Sequence, residues 1–281
     1  YNALREAITF YYQSRDLKYN DFWSDGLKTM YEKYWEECME PCGKAKSIGK
    51  SLMANHKEGE DIILKLYESS KRRFISMDMM THKEKDDEKI DEKYLKKLFE
   101  YEDSGDIYDF RYVSDWMATY ALASLINSTV KDAKVELVLY MPWTEDIFDF
   151  NLKSPRQFSE KILKVTYKDK VYWLSPGFRY YPANMMDFAA KGVRVAVVNE
   201  DGASLEKIPL DEYTDNMSSR TATVTFDPDE GTATIDVTNT YNPYQSYSKR
   251  SSLLYFDTDE KRKESIEEDL KDDFGDETVL N

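Results

Sequence analysis

The chain contains little cysteine and little histidine: its 281 residues include 2 of each. Cys38 and Cys42 are too few for a disulfide framework, and the acidic residues around them oppose thiolate formation. We interpret them as half-buried thiols at a helix break near Pro41, with a local disulfide and a catalytic thiol as the alternatives. His56 and His82 lie in polar contexts, which predicts solvated side chains at helix boundaries.

Long apolar runs and an excess of positive charge are also missing. No stretch approaches the roughly 18–20 apolar residues that span a bilayer, so the sequence predicts no membrane-spanning helix. The net charge of -15 argues against nucleic acid or an anionic membrane surface as a partner, because both are negatively charged. The segment YNALREAITF has neither the basic and apolar regions of a signal peptide nor an initiator methionine. We expect the chain to derive from a longer precursor.

The residues that are present indicate a globular protein. Hydrophobic residues make up 41% and aromatic residues 14% of the chain, enough for one large or two modest domains. Apolar residues at helical spacing predict helices over the first 80 residues, including one at 43–54. The alanine-rich segment 115–126 predicts a buried helix. Residues 82–91 form a dense charge run, which we expect to be an exposed loop or a solvated helix start.

Strand patterns follow the helical part. Residues rich in Val, Ile and Thr predict strands at 135–141, 161–167, 171–174, 193–199, 221–226 and 232–238. The turn sequence DPDEG between the last two predicts a β-hairpin. Residues 257–274 predict a helix that ends before Gly275. The pattern predicts an α+β fold: a helical N-terminal part, an antiparallel sheet, and a small β-rich region with a C-terminal helix.

The segment from Arg156 to Tyr181 reads RQFSEKILKVTYKDKVYWLSPGFRYY. It resembles a segment of bacterial transglutaminase-like proteins. In that family a strand pair reads F-x-H-[VI]-[IL]-x-x-V and then D-G-K-x-[YW]-W-L-D-P-T, and a buried helix opens on G-[DY]-C-x-[DE]. The cysteine, histidine and aspartate form a catalytic triad. The matching positions in this chain are Val113, Glu160 and Ser175.

The resemblance implies a protein without the family's chemistry. Valine has no nucleophilic atom, glutamate cannot carry out the proton cycle of imidazole near pH 7, and serine lacks the negative charge that steadies an imidazolium. It implies a helical lead-in and papain-like core at 1–185 and a β-rich region with a terminal helix at 186–281. It further implies a non-enzymatic module of an exported bacterial protein, in the periplasm or at the cell surface. Such a module binds a protein, peptide or glycan, or braces neighbouring domains, and needs no cofactor.

A cleft near the former triad is the candidate binding site. Tyr112, Asp115, Trp116 and Trp173 are its candidate lining residues, although aromatic residues are also ordinary core material. One alternative is a hydrolase in which Glu160 and Asp115 form a refitted carboxylate pair. There are two further alternatives. The cleft is a purely structural remnant of the family's active site, or the chain is an unrelated scaffold in which the strand pair is coincidental. No metal site is predicted, because turn chemistry explains DPDEG better than a calcium loop does.

Overall fold

The computed structural model describes residues 22–80, 84, 90–146, 148–212, 216–256 and 258–275. The chain is of the α+β class and divides into two compact units, Tyr1–Pro209 and Leu210–Asn281. Within the described ranges, every helix is too short or too polar to cross a bilayer. His82 and most of the predicted charged loop at 82–91 lie outside the described residues, as does the part of the predicted helical region before residue 22.

Helices dominate the first part of the first unit in the ranges that the structure describes, 22–80 and 90–107. They are α1 (Leu27–Tyr34), between π-helical turns at Phe22–Gly26 and Trp35–Met39, then α2 (Gly43–Ala54), α3 (Ile62–Arg73), α4 (Glu92–Phe99) and α5 (Ser104–Ile107). The Asp61 carboxylate accepts the backbone N–H groups of Ile63 and Leu64 and so begins α3. The Cys42 sulfur accepts the Ala45 N–H in the same way at the start of α2. Cys38 and Cys42 are both free thiols, and Cys38 is buried.

The next helix, α6 (Asp115–Thr129), lies at the centre of the unit. It follows two short strands, β1 (Ile75–Ser76) and β2 (Tyr112–Val113), which pair in parallel. Every residue from Met117 to Ile126 is buried, as expected for a helix that is apolar on all sides. Helix α6 packs against α2, α3 and the first long strand pair of the sheet. The prediction of a buried helix at 115–126 is confirmed.

A five-stranded antiparallel sheet completes the first unit. Its strands are β3 (Lys134–Tyr140), β4 (Glu160–Tyr167), β5 (Lys170–Leu174), β6 (Arg194–Asn199) and β7 (Gly202–Lys207), in the spatial order β5-β4-β3-β6-β7. Strand β6 pairs directly with β3, so β6 and β7 belong to this sheet. The predicted domain boundary after residue 185 therefore falls inside the first unit. Local sequence pattern does not reveal which sheet a valine-rich strand will join.

Both faces of the central strands of this sheet are buried, because an apolar cluster packs against each face. Side chains alternate along each strand and so contribute to the two clusters in turn. The face toward α6 contributes Leu137, Leu139, Leu163, Val165 and Leu174 to the main core. The opposite face contributes Val138, Tyr140, Ile162, Trp173 and Val197 to a second cluster. The sheet therefore separates two cores, and the position of a residue along its strand decides which core its side chain joins.

The second unit consists of β8 (Ser219–Asp227), β9 (Thr232–Thr240), α7 (Pro243–Tyr255) and α8 (Asp259–Phe274). The predicted hairpin is confirmed. The Asp227 carboxylate accepts the N–H groups of Asp229 and Glu230, and Gly231 closes the turn at a φ of 65°. The predicted C-terminal helix is also confirmed; the Thr258 side chain caps its start.

Candidate functional site

Val113 precedes the start of the central helix, as the resemblance expects of its first triad position. It is fully buried, pairs with Ser76 across the short parallel bridge, and belongs to the main core. The helix then begins after Ser114, whose side chain makes no capping hydrogen bond. Asp115 is the first helical residue, where the positive end of the helix dipole favours a carboxylate. The helix start thus carries an acid and no thiol.

Glu160 is the first residue of β4 and lies opposite Tyr140 of β3. Burial, and the negative charges of Asp115, Glu145 and Asp187, raise its pKa from the ordinary value of 4.5 to about 7. Burial also raises the pKa of Asp115, and a hydrogen bond from the Ser76 hydroxyl partly opposes that shift. Glu160 and Asp115 therefore form an electrostatically coupled pair of carboxyl groups.

Ser175 follows the last residue of β5 and is 1% exposed. The Tyr67 hydroxyl lies 3.1 Å from both the Ser175 and the Tyr181 carbonyl oxygens, which share its single proton. The Ser175 hydroxyl is buried without a hydrogen-bond partner among the described residues. Two residues on, Gly177 packs so closely against Asp115 that an added Cβ would lie 2.7 Å from the Asp115 Cβ.

The start of α6, the start of β4 and the end of β5 therefore converge around Asp115. This carboxylate interacts electrostatically with Glu160 and contacts the loop that follows Ser175. The side chain of Val113, however, belongs to the core on the helix side, whereas strand alternation puts Glu160 on the opposite face with Tyr140. The structure thus brings the start of the helix, the start of β4 and the end of β5 together. It does not direct the side chains of Val113, Glu160 and Ser175 into one pocket.

The expected cleft-lining residues have different environments. Tyr112 is 3% exposed and packs in a small cluster with Ile75 and Met80, so it is a core residue. Trp173 is buried in the cluster on the far face of the sheet. Asp115 is half-buried at the helix start. Trp116 is half-buried and lines an open groove. Sequence pattern could not separate these cases, because aromatic residues serve both cores and grooves.

This groove, here called the aromatic groove, has a volume of about 560 Å³. It is lined by Met30, Tyr31, Glu37, Cys38, Phe99, Tyr101, Glu102, Trp116, Tyr120, Pro155 and Lys161. The Trp116 ring lies 5.6 Å from the Tyr101 ring and 5.7 Å from the Tyr120 ring, measured between centroids. The groove therefore combines a cluster of three aromatic rings with charged side chains of both signs.

Lys161 is the cation at the Trp116 end of the aromatic groove. Its ammonium lies 5.6 Å from the centroid of the Trp116 ring, and burial lowers its pKa. Sequence reasoning singled out its neighbour Glu160 and missed Lys161, which alternation directs to the helix side of the sheet. Tyr120 was missed as well, although its position four residues after Trp116 places both on one helix face.

The groups gathered around Asp115 and in the aromatic groove are carboxyl groups, an amine, hydroxyl groups, aromatic rings and the buried thiol of Cys38. In the part of the chain that the structure describes, no group of three or more His, Cys, Asp or Glu side chains is placed to hold a metal ion. Comparison of the chain with protein-family models, with curated proteins and with solved structures found no match. The comparisons therefore add no support to the motif resemblance.

Proposed function

We propose that this chain is a non-enzymatic binding module with a transglutaminase-like, papain-like core. The motif resemblance supports this, and so does the packing of α6 against β4, the helix-on-strand arrangement that the resemblance requires. The absence of cysteine and histidine from the triad positions leaves no thiolate-imidazolium pair to attack a carbonyl group. The bacterial origin and the periplasmic or cell-surface location belong to the same proposal.

The aromatic groove is the observation that carries the binding function. A ligand entering it meets the partly exposed rings of Trp116 and Tyr101, while the buried Tyr120 ring supports Trp116 from the core. Such rings supply large contact areas with little loss of conformational entropy. Lys161 and Glu102 add charges of opposite sign at the same groove, which orient a polar ligand. A peptide or a glycan, free or presented by a protein, meets these requirements.

Replacing Trp116 by alanine is expected to weaken binding of any ligand of the aromatic groove by at least tenfold. Truncating a central aromatic contact typically costs about 2 kcal/mol or more. Binding is measured by isothermal titration with hits from peptide and glycan libraries. Trp143→Ala is the matched control: Trp143 is 46% exposed, contacts Phe188 and does not line the groove. Equal losses in the two variants, or no saturable ligand for the unaltered chain, would contradict the proposal.

A hydrolase that uses Glu160 and Asp115 is the second candidate. The specific observation in its favour is the raised pKa of both carboxyl groups, because an acid of pKa about 7 can donate a proton at neutral pH. In a glycoside hydrolase the protonated Glu160 would act as the general acid and Asp115 as the partner carboxylate. Hydrolysis of a glycan by the purified chain, lost in Glu160→Gln, would favour this function over the non-enzymatic one.

Glu160→Gln is also expected to change how stability depends on pH. The folded-state pKa of Glu160 lies above 4.5, so its contribution to stability is fully present below about pH 4.5 and is lost as pH rises through about 7. Glutamine does not ionise, so the variant does not lose this stability as the pH rises. We expect the variant to be more stable than the unaltered chain by about 1–2 kcal/mol at pH 8, a value discounted for partial exposure, and similar at pH 4.5.

Urea denaturation at the two pH values measures this difference. Glu145→Gln is the control: Glu145 is exposed, accepts a hydrogen bond from the Ser159 hydroxyl, and is a smaller cause of the raised pKa of Glu160 than burial, so this variant should change the pH dependence less. A stability gain from Glu160→Gln that is equal at pH 4.5 and pH 8 would show that the raised pKa is not its cause.

A further inference from the structure

The hairpin of the second unit has one apolar and one polar face. The register pairs Ala222 with Val237, Val224 with Ile235 and Phe226 with Ala233. These six side chains lie on the same face, because paired residues share a face and alternate residues along a strand return to it. We refer to them as the hairpin ladder. The opposite face carries Thr221, Thr223, Thr225, Thr234, Asp236 and Thr238.

Five of the six side chains of the hairpin ladder are exposed, and Val237 is half-buried. Val224 and Phe226 are each 62% exposed, and Ile235 is 40% exposed. Among the described residues of the second unit, none is buried. A two-stranded hairpin is at best marginally stable in water, and contiguous exposed apolar side chains mark interaction surfaces. The ladder therefore has the properties of a surface that a partner covers.

The outer edges of the hairpin offer a way to bind that partner. Strands β8 and β9 form a sheet of two strands in the described part of the chain. Each strand is nine residues long, and its outer N–H and C=O groups can pair with an added extended chain. A strand added at either edge would extend the ladder with its own alternate side chains.

Charge distinguishes between possible occupants. Residues 210–281 contain 18 Asp and Glu against 7 Lys and Arg, a net charge of -11 within the total of -15. A second copy of the chain would bring the same negative charge and be repelled, whereas a basic partner would be attracted.

We propose that the β8–β9 hairpin binds a basic, extended polypeptide segment of another protein by strand addition. The apolar side chains of that segment lie beside the hairpin ladder and extend its apolar face, and its Lys or Arg side chains neutralise the acidic second unit. This surface is separate from the aromatic groove, so the two proposals are tested independently.

The first experiment uses the full chain and three fluorescent ten-residue peptides of alternating sequence: Lys-Val, Lys-Ser and Glu-Val. Fluorescence anisotropy is expected to show saturable binding of the Lys-Val peptide that weakens as salt increases. The Lys-Ser peptide lacks the apolar face and the Glu-Val peptide has the wrong charge. Each should bind at least tenfold more weakly.

The second experiment tests the ladder itself. The double variant Val224→Thr, Phe226→Thr is expected to bind the Lys-Val peptide at least tenfold more weakly. Thr223→Ser, Thr225→Ser alters the opposite face of the same strand and should bind it as the unaltered chain does. All four side chains are exposed and threonine favours strands, so the fold should survive in both variants, which circular dichroism checks.

Three results would overturn the proposal. Equal affinity for the Lys-Val and Lys-Ser peptides would show that binding comes from non-specific charge attraction and not from the apolar face. Unchanged binding by the ladder double variant would exclude the ladder. Sedimentation that reveals a dimer, abolished by the ladder double variant, would assign the surface to a second copy of the chain.

Discussion

Gly49→Ala is expected to lower the free energy of unfolding by about 2 kcal/mol or more. Gly49 lies in α2 against the end of α6, where an added Cβ would overlap the Thr129 Oγ1 and lie 3.1 Å from the Thr129 Cβ. The Thr129 hydroxyl donates to the Leu125 carbonyl at 2.7 Å, which fixes its position. Overpacking of this kind typically costs about 1–3 kcal/mol. Alanine favours the helix over glycine by roughly 1 kcal/mol, which offsets only part of the cost of a severe overlap.

A control and a rescue make this prediction specific. Gly43 opens the same helix and has no atom within 4 Å of an added Cβ, so Gly43→Ala should leave stability unchanged or slightly higher. Thr129→Ala in the Gly49→Ala background removes Oγ1 and Cγ2 and should restore most of the lost stability. Urea denaturation of the four members of a double-mutant cycle measures the coupling. Additive effects would rule out the proposed close contact between α2 and α6.

Gly177→Ala should destabilise the protein to a similar extent, by about 2–3 kcal/mol. Its Cβ would lie 2.7 Å from both the Cβ and the Cγ of Asp115. The Asp115 Cβ is fixed by the backbone of α6 and cannot move aside. The loop cannot easily move either, since the Tyr67 hydroxyl binds the carbonyl groups of Ser175 and Tyr181 on both sides of Gly177. No gain in helix propensity compensates for the overlap.

Two second-site changes separate the sources of that loss. Asp115→Ala keeps the Cβ and should restore little of the stability of Gly177→Ala. Asp115→Gly removes the Cβ and should restore more, measured by thermal unfolding against each Asp115 variant alone. Full restoration by Asp115→Ala would mean that the carboxylate, and not the helix backbone position, opposes the added methyl group.

Local sequence signals predicted several elements well, and particular residues explain why. The apolar, alanine-rich stretch at 115–126 is buried whatever its neighbours, so its environment was predictable. The DPDEG turn fixed the β8–β9 hairpin through its Asp227 side chain. Strand β7, with the sequence GASLEK, was missed because it lacks the β-branched residues that indicate strands. Helix α7 was missed because its serine-rich sequence has a weak helix propensity.

The candidate site was less predictable than the elements that carry it. Trp116 was found from its sequence context, but its partner Tyr101 comes from a segment outside α6 and lies beside it only in the folded chain. Tyr112 and Trp173 look similar to Trp116 in sequence and are core residues. Glu160 and Lys161 are neighbours in β4, so their side chains point to opposite faces of the sheet.

The sequence by itself determined the α+β class, the central helix, and the strand pair at β4 and β5. These properties depend on residue identity and short-range periodicity, which a linear chain displays directly. Tertiary structure alone decided that β6 and β7 join the first sheet, that the pKa of Glu160 is about 7, and that Trp116 lines a groove. Pairing, desolvation and shape depend on groups far apart in the chain, and folding is what brings those groups together.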